Sequence, residues 1–150
     1  MNRGVIEVTK EQLKLDNQVC FPLYATTREM TKRYRPLLDK LKLTYPQYLV
    51  LLVLWEVKAI SVKALGKRLY LDSGTLTPMI KRMEDHNLVR RQRSKEDERV
   101  VNVSLTKHGE EMEALAEDIP LKFVEGTNLS AEEVSQLKTI LNKMLIQMDD

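Results

Sequence analysis

Apolar positions recur with a helical period over most of the chain and switch to a period of two only between Val89 and Leu105. Between about Asp16 and Leu41, the residues Phe21, Tyr24, Met30, Tyr34, Leu37, Leu38 and Leu41 fall roughly on one side of a long helix. Pro22 and Pro36 each lack an amide donor and crowd the preceding turn, so this helix is expected to kink or to start late. Thr44 and Gln47 have the spacing of a capping box, and the run from Tyr48 to Trp55 that follows is apolar nearly all round, which predicts a buried helix. Ser61 reads as the N-cap of a third helix running to about Tyr70, with Ile60 able to staple onto Leu65. Asp72-Ser73-Gly74 reads as a turn and cap leading into a fourth, and Asn87 as its left-handed C-cap. The period then becomes two: Val89 opens a basic strand, Val101, Val103 and Leu105 alternate on a second, and SKEDER between them makes a hairpin tip. Thr106 caps another helix that Pro120 interrupts and Gly126 ends. Ser130 and Glu133 form a last capping box, ahead of a stripe of Val134, Leu137, Ile140, Leu141, Met144, Leu145 and Met148.

The expected fold is therefore mainly α with a small β-hairpin. Two short helices joined by a tight turn and followed by a basic hairpin have the plan of a winged helix-turn-helix, flanked by N- and C-terminal dimerisation helices. We place the N-terminal dimerisation segment at residues 1–43, the winged helix-turn-helix at 44–105 and the C-terminal dimerisation helices at 106–150. The two apolar stripes at the ends are expected to pair with those of a second copy, giving a homodimer suited to symmetric double-stranded DNA.

Composition and charge sharpen this picture. Of 150 residues, 43% are hydrophobic and 31% charged, and five Gly with five Pro exclude collagen-like and low-complexity chains. The longest apolar run has eight residues, against about 20 for a membrane span. The charged N-terminal stretch lacks a signal core, which predicts a cytoplasmic protein. One cysteine excludes an intrachain disulfide, and His86 and His108 without a C-x-x-C pattern give a metal site no support; no cofactor is expected. The net charge of +2 is unevenly spread. From Lys58 to Leu105, eleven Lys or Arg stand against six Asp or Glu, while from Thr106 to Asp150 four stand against ten. A basic middle points to a polyanion.

On that plan the candidate DNA-binding residues are Ser73, Thr75 and Thr77 near the start of the fourth helix, Lys81 and Arg82 one turn on, and Arg93, Lys95, Asp97 and Arg99 on the hairpin. Hydroxyls beside the free amides of a helix start suit phosphates and base edges. Asp97 is assigned to orienting Arg99, because phosphates repel a bare carboxylate. A small helical bundle with merely solvated polar faces would leave the coincidence of helix pair, hairpin and local charge unexplained. A lone cysteine is most often a buried small hydrophobe. Cys20, however, lies near an expected helix start, where free amides favour a thiolate. Tyr24, four residues on, shares its face. Tyr34 lies nearly on that face too, but fourteen residues along a helix is about 21 Å, so it can meet Cys20 only across a two-fold axis.

DERVVNVSLT, residues 97–106, resembles the D-x-R-x-x-x-x-x-L-T wing signature of the MarR family of bacterial regulators. The segments DNQVCFPLYATTREMTKRYRPLLDKL, LTYPQYLVLLVLWE and LYLDSGTLTPMIKRME are similar to that family's organic-hydroperoxide-sensing repressors, strongly over residues 15–106 and weakly beyond. The resemblance implies a homodimeric winged-helix repressor that releases its operator when a hydroperoxide oxidises Cys20. Tyr24 of the same subunit and Tyr34 of the partner would attend the sensor. With no second thiol the chain resembles the one-cysteine branch. The oxidised sulfur there is capped by a low-molecular-weight thiol, cyclises with a backbone amide or overoxidises. Relatives that act as global redox or virulence regulators, and others that answer to phenolic ligands without a cysteine, remain alternatives. A thiol peroxidase is a remote one, for it leaves the wing without a purpose.

Overall fold

The computed structural model describes residues 10–148; residues 1–9 and 149–150, with most of the charged N-terminal stretch, lie outside the described residues. Two 3-10 turns, Glu11–Leu13 and Leu15–Asn17, lead into helix α1, Cys20–Asp39. The order then runs α2 (Tyr45–Val57), β1 (Ala59–Ser61), α3 (Val62–Leu69), α4 (Ser73–Asp85), β2 (Val89–Arg93), β3 (Val101–Leu105), α5 (Lys107–Ala116), α6 (Ile119–Glu125) and α7 (Ala131–Met148).

The first helix starts late, at Cys20 rather than Asp16. Pro22 thereby falls in the first turn, whose amides have no intrahelical acceptor anyway. Pro36 lies inside the helix, which nevertheless runs on to Asp39. Tyr34 and Leu38, on either side of it, are buried in the core, and their packing outweighs one lost hydrogen bond. Thr44 and Gln47 close the reciprocal capping box at the start of α2, whose Val50, Leu51, Val53 and Leu54 are fully or almost fully buried. Ser61 and Asp72 cap α3 and α4, and Thr106 caps α5. Asn87 adopts the left-handed conformation, φ 59°, that ends the fourth helix.

The expected hairpin forms from β2 and β3, and among the described residues a third strand joins it, giving the antiparallel order β1-β3-β2. Residues 59–61 pair with 102–104, so the segment before α3 anchors the hairpin to the helical body. Three residues are too few to show alternation, and only β3, some forty positions away, gives them a partner.

The core is built around α2, which packs against α1, α3, α4, α5 and the sheet. Its sharpest contact is at Gly109 of α5, where an added Cβ would stand 2.1 Å from the Leu88 carbonyl oxygen. The Trp55 indole donates to the Gly109 carbonyl at 2.9 Å, holding α5 against α2. Helix α7 has no buried residue, and its apolar stripe faces outward: Ile140 is 58% and Met148 78% exposed. Leu13, Leu15, Val19 and Phe21, at the other end of the chain, are exposed as well.

Candidate nucleic-acid interface and thiol site

Helix α4 is presented by its cap. The Asp72 carboxylate accepts the Thr75 amide at 2.9 Å and the Thr75 hydroxyl at 3.0 Å, and the amide bond above all holds the Asp72 carboxyl below the ordinary carboxylate range. The inward side of α4, Leu76, Met79, Ile80 and Met83, is buried, which leaves Ser73, Thr75, Thr77, Lys81 and Arg82 exposed on the outer face. Of the three hydroxyls, that of Thr75 is already used in the cap.

The hairpin tip is tied by its own backbone and short side chains. The Ser94 hydroxyl accepts the amides of Glu96 and Asp97, at 3.2 and 3.4 Å. The Asp97 carboxylate accepts the backbone amide of Arg99 at 3.0 Å, so Asp97 fixes the chain that carries Arg99 and does not grip its guanidinium. Arg93 donates to the Glu98 carbonyl at 2.8 Å across the tip. Between α3, the start of α4 and the wing lies a cleft of about 1210 Å3 whose walls include Lys63, Lys67, Ser73, Thr77, Arg91 and Arg99. The structure thus brings Ser73, Thr77 and Arg99 together on one concave surface. Among the described residues, Lys63, Lys67, Lys81, Arg82 and Lys95 have no ion-pair partner, so their charges face solvent uncompensated. Lys63 and Lys67 were missed from the sequence, although lysines four apart on the outer face of a helix were the available signal.

The thiol lies elsewhere. Cys20 is the first residue of α1, exposed, and has no hydrogen-bond partner among the described residues. Tyr24, 62% exposed, is one turn on with the Arg28 guanidinium 5.5 Å from its ring centroid; it does not bond Cys20. Tyr34, at the far end of the same helix, is 9% exposed and stacked on Phe123 of α6 at 4.5 Å, with Tyr45 at 4.7 Å. Burial, with neighbouring Tyr45 and Tyr48 adding to it, pushes the Tyr34 hydroxyl up to about 12, so it stays neutral and able to donate. Cys20 and Tyr34 are not brought together within one subunit.

A second, smaller groove of about 650 Å3 lies between α2 and α5. Glu56, Glu110, Glu113 and Glu117 rim it, an electrostatic setting that repels a phenolate. Among the described residues no helix is long and apolar enough to cross a membrane, and no group of three or more His, Cys, Asp or Glu is placed to hold a metal ion.

The family model described as transcriptional regulator SarA/Rot matches residues 32–115. The organic hydroperoxide resistance transcriptional regulator of Bacillus subtilis (strain 168) is 55% identical over 135 residues, 90% of this chain and 92% of the relative. The structure of reduced AbfR bound to DNA aligns with a TM-score of 0.77 at 35% identity, covering 94% of this chain and 99% of that one. Against disulfide-formed AbfR the TM-score is 0.64 at 36% identity, covering 91% and 96%. A cysteine-to-serine mutant of Escherichia coli MarR complexed with operator DNA aligns at 0.74 with 28% identity, covering 88% and 99%. The chain therefore belongs to the MarR family of winged-helix transcriptional regulators, and it is a regulator rather than an enzyme.

Proposed function

We propose that this protein is a dimeric, operator-binding regulator that senses organic hydroperoxides through Cys20 and releases DNA when that thiol is oxidised. One observation carries the reading: an unpaired basic face on α3, α4 and the wing belongs to the same chain as an exposed, unpartnered thiol at a helix start. The fold aligns more closely with the DNA-bound forms of AbfR, reduced or overoxidised, than with its disulfide form.

In the DNA complex, α4 enters the major groove with Ser73, Thr75, Thr77 and Arg82, while Lys81 contacts the backbone. The wing, through Arg93, Lys95 and Arg99, reaches the adjacent groove, with Asp97 shaping its tip. Two copies pair through α1 and α7. This covers the apolar stripe on α7 and the exposed Val19 and Phe21, and brings Tyr34 of one subunit toward Cys20 of the other.

The chemistry needs only the thiolate and the peroxide. The sulfur attacks one peroxide oxygen, an S–O bond forms as the O–O bond breaks, and the departing alkoxide takes a proton and leaves as an alcohol. Cys20 is then a sulfenic acid. A small thiol can condense with it, forming a disulfide and losing water. The tyrosine hydroxyls donate to the sulfur and orient the peroxide. A polar group, then a bulky adduct, forces the packed interface to rearrange and moves the two recognition helices off their half-site spacing. Near-complete release requires about 5 kcal/mol of bias between the two states.

The test is a gel shift on the protein's own promoter with and without an organic hydroperoxide, with intact-mass analysis of each sample. Wild type should release DNA as Cys20 gains oxygen or an adduct, and Cys20→Ser should bind DNA and ignore peroxide. Release from Cys20→Ser, or full affinity in a sample completely oxidised at Cys20, would overturn the reading.

A further inference from the structure

Helix α1, which carries Cys20, packs on α2 and α6, whereas α4 packs on α2, α3 and β2. A second connection between them runs through the arm formed by α5 and α6. At its distal end this arm is latched to α1 twice. The Tyr34 ring stacks on Phe123 with centroids 4.5 Å apart and planes within 16°, and the Arg33 guanidinium donates to the carbonyl of Gly126, where α6 ends. At its proximal end the arm is latched to the turn that follows α4. The buried Thr106 hydroxyl donates to the carbonyls of Asn87 and Leu88 and accepts the Gly109 amide at 3.0 Å. Gly109 meets the Leu88 carbonyl too closely for any side chain. Between the two ends, Glu117 and Asp118 keep helical backbone angles, so α5 and α6 are joined without a flexible break.

We infer that Phe123 and Arg33 are positioning residues that convert a displacement of the Cys20 helix into a displacement of the recognition helix. The inference rests on the redox reading of Cys20 given above. Stacked rings and close-packed contacts have discrete arrangements and do not deform continuously, so a shift of α1 that moves Tyr34 must carry Phe123 with it or break the stack. The arm is pinned at Leu88, immediately beyond α4, and passes that motion to the DNA-binding end. Arg33 touches neither Cys20 nor the DNA face, and Phe123 meets the sensor only through the ring of Tyr34.

The experiment uses the intact dimer on its operator and three separate readouts: operator affinity in the reduced state, the rate at which Cys20 gains oxygen, and operator affinity after complete oxidation. Phe123→Leu removes the stack and keeps an apolar side chain; Arg33→Gln removes the guanidinium latch from an exposed position. Both should leave reduced-state operator affinity at the wild-type value, and Arg33→Gln should leave the oxidation rate unchanged as well. Phe123→Leu, which loosens Tyr34, is judged only after complete oxidation, where the rate no longer enters. After oxidation, the double variant should hold the operator at least about tenfold more tightly than oxidised wild type. Phe123→Tyr, which keeps a ring to stack, should restore release. If Phe123→Leu does not fold, Arg33→Gln alone must still show partial retention. Release indistinguishable from wild type in the folded variants would assign the coupling to α2 and overturn the inference. Wild type that stays bound when fully oxidised would instead overturn the sensor reading, and the coupling with it.

Discussion

The Glu84 carboxylate near the end of α4 grips Arg91 of the first wing strand twice, accepting its backbone amide at 2.8 Å and its Nε at 2.9 Å. One residue thus fixes the angle between recognition helix and wing. Those two bonds hold the Glu84 carboxyl below the ordinary carboxylate range, the amide contributing most. A depressed carboxylate stabilises the fold fully above its unfolded value near 4.5, and the contribution is lost as pH falls through its lower folded value. Glu84→Gln should therefore cost about 1 kcal/mol near neutral pH and less in acid, in urea unfolding at several pH values. Operator affinity should fall with it. A variant equally destabilised at both pH extremes would show that the ion pair does not set this orientation.

Among the described glycines, Gly109 has the least room for a side chain. A Cβ there would meet the Leu88 carbonyl oxygen at 2.1 Å and Leu105 Cδ2 at 3.1 Å, and the first of these is backbone that cannot move without the α4–β2 turn. Gly109→Ala should destabilise the protein by about 3 kcal/mol, offset in part by the better helix propensity of alanine. Chemical denaturation would register it, and a loss under about 1 kcal/mol would mean that α5 tolerates displacement here.

Much of this architecture was legible because it is written in neighbours. Thr44 with Gln47 and Ser130 with Glu133 close their boxes three residues apart, and Asn87 ends a helix by its own backbone preference. What escaped depends on distant partners. Residues 59–61 become a strand only when β3 arrives, and nothing around Gly109 announces the Leu88 carbonyl above it. The candidate site divides the same way. Its residues on α4 follow from the helical period and the cap, whereas the proposed approach of Tyr34 to Cys20 would belong to the pairing of two chains and so to no local pattern.

The dimer prediction follows from exposure. Leu145 and Ile140 are more than 40% exposed and Leu141 is half-buried, on a helix with no buried residue at all. Both leucines are already more than half covered within the subunit, so covering the rest contributes about 1 kcal/mol or less each. Leu141→Glu with Leu145→Glu should dissociate or unfold the protein at micromolar concentration. Light scattering that shows a folded wild-type monomer would refute the pairing.

Tyr34→Phe keeps the ring on Phe123 and removes only the hydroxyl, so the reduced dimer should fold and bind DNA. Because the fold favours the neutral phenol, Tyr34 stabilises the protein fully below the ordinary value of 10, and that contribution is lost as pH rises through about 12. Phenolate absorbance should therefore lose a late-titrating component in the variant. Oxidation of Cys20 should also slow, and slow further in combination with Tyr24→Phe. Equal rates in wild type and the double variant would remove both hydroxyls from the sensor.

The wing prediction separates two residues that a simple loss of affinity would confuse. On the proposed reading Arg99 offers a positive charge to DNA, whereas the Asp97 carboxylate, which accepts the Arg99 backbone amide at 3.0 Å, is negative and repelled by a phosphate. Arg99→Ala should weaken binding and, if its partner is a phosphate, reduce the slope of log affinity against log salt by about one. Asp97→Ala should weaken binding by loosening the tip, which lets Arg99 spend less time in place. If Asp97 acts only through Arg99, the double variant should bind no more weakly than Arg99→Ala alone, a non-additivity that a double-mutant cycle measures directly. Full additivity would give Asp97 an independent part in shaping the wing. An unchanged affinity and salt slope for Arg99→Ala would take the wing tip away from the DNA altogether.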